Sequence, residues 1–223
     1  MTSRERLVAA ARGGDVDQRP VLLWPSRVGD ASDARIVSVD EVNFSLENEP
    51  DKAVLAEIVG PCGRATSLAL NALLESDPAA GNVELDRLVR LVRDDIQAAL
   101  SQGADGVFYR LQGAQPGLTT PMQYGGFYLE RDRELLREVK DARLNVLYVE
   151  GPGAYIDFVS DLPAHVFAWD PTDGSRFDEV RTLRPGALAA LHPLADVLFA
   201  EHLSTVQDWI KPTGEWEAAL NHG

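Results

Sequence analysis

The sequence predicts an α/β fold of the TIM (β/α)8-barrel type, lean and with room for an incomplete set of strands. Three observations carry this expectation. Short apolar runs alternate with segments of helical periodicity along most of the chain, and a parallel strand pair needs such a crossover between its members. About seven β/α units can be counted, more than a short doubly wound sheet needs. At 223 residues the chain sits between the ~200-residue floor and the ~250 residues usual for this barrel.

The elements follow in order. Residues 3–12 form a helix, with Thr2 and Glu5 spaced as a capping box. "RPVLLWP" (19–25) is a first strand, and "ARIVSVDEV" (34–42) a weaker alternating one. "KAVLAEIVGP" (52–61) is a better strand, followed by a helix over "RATSLALNALLE" (64–75). Residues 85–100 place Leu85, Leu88, Val89, Val92, Ile96 and Ala99 at helical spacing. "GADGVFYRL" (103–111), "LNVLYVEG" (144–151), "AHVFAWDP" (164–171) and "GALAALHP" (186–193) are further strands. Between them lie helices at 130–142, 154–162 and 175–183. A last helix is expected at 194–210, and residues 216–223 form an eighth strand or a tail.

Charge and cysteine usage narrow the function. Thirty-five acidic residues against 21 basic give a net charge of −14, which repels phosphate backbones and argues against nucleic acid. The single cysteine, Cys62, excludes an intramolecular disulfide and a cysteine-rich zinc site. It reads as a small buried hydrophobe. No apolar stretch approaches the ~20 residues of a membrane span, and the charged N-terminus lacks a secretory apolar run. A soluble cytoplasmic protein is expected. A lean barrel also leaves apolar surface that a homodimer could cover.

In a TIM barrel the active site lies at the strand C-termini. Arg27 follows the first strand, Arg64 follows "AEIVGPCG", and Tyr109, Arg110 and Gln112 end the strand at 103–111. Glu150, Asp170 and His192 follow the later ones. If the strands close a barrel, these residues share one mouth. Arginines bind carboxylates bidentately, so this mixture suits an anionic small molecule. Each residue also has a plainer reading: Arg27 and Arg64 fit exposed loops, Asp170 before Pro171 fits a turn, and Glu150 before "GPG" fits a solvated loop.

Several segments resemble one family. "SRERLVAAARGGDVDQRPVLLW" is similar to the start of uroporphyrinogen decarboxylase-like proteins. "GADGVFYRLQGAQPGLTTPMQYGGFYLERDRELLREVKDARLNVLYVEG" resembles their central segment, and "FVSDLPAHVFAWDP" and "RPGALAALHP" resemble those that follow. The resemblance implies a TIM barrel in a superfamily that holds the cofactor-free decarboxylase, corrinoid methyltransferases and cobalamin-independent methionine synthase. It places Arg27 where the decarboxylase carries a carboxylate-binding arginine, and Arg110 where it carries a serine. At the positions of the methyltransferases' first two zinc ligands it places Tyr148 and Glu150, and no later cysteine follows, so neither metal nor cofactor is expected.

The functional expectation is a protein that binds or decarboxylates a carboxylated small molecule as a carbon–carbon lyase. Arg27, Arg64 and Arg110 would hold carboxylates, and Tyr109, Gln112 and Tyr124 would orient the ligand. Asp170, Glu150 and His192 would move protons or stabilise charge. The alternatives are an inactive barrel serving as a ligand-binding or assembly subunit, and a zinc-free relative of the methyltransferases.

Overall fold

The structure is a computed structural model that describes residues 1–190 apart from residues 19, 26–28, 66 and 171–176. Arg27, His192, the expected helix at 194–210 and the segment 216–223 lie outside the described residues.

Among the described residues, six parallel strands run in sequential order: β1 (Ala34–Val37), β2 (Ala53–Val59), β3 (Gly106–Leu111), β4 (Val146–Val149), β5 (Val166–Trp169) and β6 (Ala187–Ala190). Strands joined in this order by helices form a TIM-barrel-like fold. Of the expected first strand, residues 19–25, the described residues 20–25 are not part of this sheet: Val21 makes an isolated bridge, and the run continues as irregular chain. The cause is local. Pro20 and Pro25 have no N–H to give a ladder. The amides of Val21 and Leu23 instead bond the side chains of Asp33 (2.7 Å) and Ser32 (3.1 Å).

The crossovers are helical. A short turn and α2 (Val42–Asn48) join β1 to β2. α3 (Pro61–Arg64), α4 (Ser67–Ser76) and α5 (Pro78–Ser101) join β2 to β3. α6 (Pro121–Gln123) runs through one π turn (Tyr124–Tyr128) into α7 (Leu129–Glu138) before β4. α8 (Ile156–Val159) and α9 (Phe177–Leu183) complete the set. No helix among the described residues is long and apolar enough to cross a membrane.

Strand alternation divides the core in two. Val54, Ala56, Ile58, Val107, Tyr109, Leu147, Phe167 and Leu188 pack with residues of α5 and α7. The intervening Ala34, Ile36, Leu55, Phe108, Val146, Tyr148, Ala168 and Ala189 face inward and pack with Leu22 and α1 (Ser3–Ala11). Arg4, at the start of α1, donates its backbone N–H to the Asp51 carbonyl (2.7 Å) and forms an ion pair with Asp105 through its guanidinium (3.1 Å). The Arg12 guanidinium bonds the Arg143 carbonyl. These partners lie one to three residues before β2, β3 and β4, so α1 covers the N-terminal end of the interior. Buried Arg6 fixes the helix there through Asp33 (2.5 Å) and Asp17 (2.8 Å).

Candidate functional site

With α1 across the N-terminal end, the strand C-termini form the other end of the interior. Arg110 is the last inward residue of β3. Its guanidinium is held by a carboxylate from each neighbouring strand: Nη1 donates to Glu57 of β2 at 2.8 Å, and Nε and Nη2 donate to Glu150 at 2.9 Å each. Glu150 follows β4 directly. Its backbone N–H bonds the Leu111 carbonyl (3.1 Å), which carries the ladder one step past the strand and keeps its side chain on the inner face. The Gln112 carboxamide donates to Glu150 Oε2 at 2.9 Å. Below this group lies Trp24, with the Arg110 guanidinium 4.9 Å from its ring centre and its own ring packed on Phe108 (5.7 Å) and Tyr148 (5.3 Å). The arginine, two glutamates, carboxamide and indole thus form one cluster on an aromatic floor. Burial works against the Arg110 charge, but Glu150 and then Glu57 outweigh it and raise the guanidinium above its ordinary value. Asp170 follows β5 in the same inward register and is buried.

The loop after β3 is built to hold Gln112 in place. Gly113 has φ +102°, and a Cβ there would lie 2.3 Å from the Cys62 Sγ, so only glycine lets the loop pass this close to α3. Thr119 donates to the Gly113 carbonyl (2.5 Å), Asn71 to that of Leu118 (2.9 Å), and Tyr155 to that of Thr119 (2.7 Å). A Cβ at Gly63 would lie 2.2 Å from Gln112 Oε1 and 2.6 Å from a Val59 methyl. Gly63→Ala is therefore expected to swing the carboxamide off Glu150, at a cost of about 1–2 kcal/mol. Urea denaturation gives the cost, and loss of the Gln112 side-chain NH2 shift gives the displacement.

The other expected contacts lie elsewhere. Tyr109 neighbours Arg110 and so faces the opposite side of the sheet, where its hydroxyl donates to Asp132 of α7 at 2.5 Å. Tyr124 donates to the other oxygen of the same carboxylate at 2.7 Å. Both tyrosines are fully buried in the helix layer rather than lining the mouth. Burial and the adjacent Asp132 charge push both hydroxyls well above their ordinary range. Arg64 turns outward, pairing with Asp95 of α5 and bonding the Val59 carbonyl (3.0 Å). Cys62 is buried in the helix-side core. Arg110, Glu150 and Gln112 are brought together, Asp170 stands one strand further along, and Arg64, Tyr109 and Tyr124 are not part of the cluster.

Two members were missed in the sequence. Glu57 is the one ionisable residue in the buried run of β2, and that anomaly marks it. Trp24 has no comparable signal, because it reads as a strand residue among leucines.

No protein-family model matches the chain, and no curated protein matches it. Among solved structures, a methyltransferase from Methanosarcina mazei superposes with a TM-score of 0.69 at 13% identity, over 82% of this chain and 80% of that one. The chitinase domain of the spore coat protein CotE from Clostridium difficile matches at TM-score 0.40 and 15% identity, over 69% and 50% of the two chains. A glycoside hydrolase family 18 N-acetylglucosaminidase from Paenibacillus barengoltzii matches at 0.35 and 12%, over 78% and 50%. These last two scores are too low to carry an argument. The likeness to the methyltransferase is one of fold alone, a parallel α/β barrel.

Proposed function

We propose that this chain is a uroporphyrinogen decarboxylase-like barrel that binds a small molecule at its C-terminal mouth, above Trp24 and against Glu57, Arg110, Gln112 and Glu150. One observation carries the reading. Two half-buried carboxylates, Glu57 in β2 and Glu150 directly after β4, converge on the guanidinium of Arg110 in the strand between them, at the end of the barrel where this fold places its sites. Such groups are costly to desolvate, and a core packed for stability alone would carry apolar residues there.

The anionic ligand expected of Arg27, Arg64 and Arg110 finds little support in this geometry. Arg64 is engaged on the helix side, and Arg110 already holds two carboxylates. If the ligand is turned over, a carbon–carbon lyase step with Asp170 or Glu150 as proton carrier is the reading that the family resemblance favours. One observation favours binding without turnover: three donor groups already engage Glu150, which leaves it poorly placed as a base.

A thermal-shift screen of small carboxylates, porphyrinogens and amines tests the site. Compounds that stabilise the chain are expected to lose their effect in Trp24→Leu and Arg110→Met and to keep it in Arg64→Ala. Equal stabilisation of all three variants would place binding elsewhere.

A further inference from the structure

This inference rests on the mouth reading above and concerns the class of ligand. Glu57 and Glu150 share one guanidinium, so the three side chains carry one net negative charge. Their oxygens are used unequally. Glu150 accepts from Arg110 Nε, Arg110 Nη2 and Gln112 Nε2, all at 2.9 Å. Glu57 takes one short bond, from Arg110 Nη1 on Oε1. Among the described residues its Oε2 has only the Trp24 indole N–H at 3.4 Å, a long contact. A carboxylate offers about four acceptor positions, and the Glu57 side chain is 28% exposed. Among the described residues Glu57 Oε2 is thus a negatively charged acceptor with spare capacity, on a partly exposed side chain set against an aromatic edge.

We infer that Glu57 is the ligand-facing carboxylate and that the ligand offers it a positively charged nitrogen, an alkylammonium or a protonated ring nitrogen. Charge-assisted N–H···O bonds of this kind are the strong ones, and the half-buried setting weakens solvent screening. A carboxylate ligand meets the opposite situation. It would have to displace Glu57 or Glu150 from Arg110 and then sit beside the carboxylate it displaced.

The test uses the full chain labelled with 15N and two probes of equal length, n-butylammonium chloride and sodium butyrate, at matched ionic strength. The readout is the Trp24 indole N–H resonance, identified as the one lost in Trp24→Phe. Butylammonium is expected to shift it saturably and butyrate to leave it in place. Glu57→Gln, which keeps an acceptor for Arg110 and removes the charge, is expected to weaken the ammonium response about tenfold or more. Should that variant fold poorly, Glu57→Asp withdraws the carboxylate with its charge intact and is expected to lose a smaller share. Saturable binding of butyrate alone would overturn the inference while leaving the mouth as a binding site. A silent resonance with both probes, or an undiminished ammonium response in Glu57→Gln, would also overturn it.

Discussion

Arg110→Met is expected to destabilise the chain by about 2–4 kcal/mol, most of it from the two glutamates that the substitution leaves without their cation. The guanidinium lies 2.7–2.9 Å from the Glu57 and Glu150 oxygens, and the side chains involved are 19, 28 and 24% exposed. That partial exposure sets the range below the cost of breaking a fully buried pair. Lost stacking on Trp24 adds about 1 kcal/mol. Urea denaturation measures the loss, and a second variant separates its parts. Adding Glu57→Gln and Glu150→Gln to Arg110→Met removes the stranded charges and is expected to recover all but about 1 kcal/mol. If the triple variant is as unstable as the single one, Arg110 acts through packing, and the electrostatic account of the mouth fails.

The second large effect lies behind the sheet. Burial holds the Asp132 carboxyl at about 6, against hydrogen bonds from Tyr109 and Tyr124 that pull it down. Its folded value is therefore above the ordinary 3.8. Between pH 4 and 6 the folded chain keeps a proton that the unfolded chain has released. The stability from this group is complete below about pH 4 and is lost as pH rises towards 6 and beyond. The loss is on the order of 3 kcal/mol. Other carboxylates titrate in the same window, so the clean quantity is a difference. Relative to wild type, Asp132→Asn is expected to gain about that much stability between pH 4 and 7, and a flat difference would contradict the assignment. Asp132→Ala leaves two buried hydroxyls without their acceptor and is expected to cost about 2–5 kcal/mol at pH 4.

Much of the barrel was legible because its strands are buried on both faces and so read as continuous apolar runs. Ala53–Val59, Gly106–Leu111, Val146–Val149, Val166–Trp169 and Ala187–Ala190 all lie within predicted runs. The run at 19–25 was equally apolar, yet its prolines and the side chains of Ser32 and Asp33 took it out of the sheet. Periodicity does not record such a competition for backbone partners. In the site, Arg110, Gln112 and Glu150 could be read from their place after apolar runs. Tyr109 could have been excluded by the same rule, since two adjacent strand residues cannot share a face. Glu57 could have been found as the lone ionisable residue of its apolar run, whereas Arg64 sits on a helical turn that aims it at Asp95. Directions set by a turn or a helix register need coordinates.

The proposed binding of a small molecule over Trp24 at the strand C-termini underlies every ligand expectation above. A crystal structure of the chain with a compound that stabilises it tests this most directly. Ligand density is expected above the Trp24 indole, within hydrogen-bonding distance of Glu57 and beside the Arg110 guanidinium. Density in the cleft lined by Lys140, His165 and Arg184, with the mouth unchanged, would contradict it.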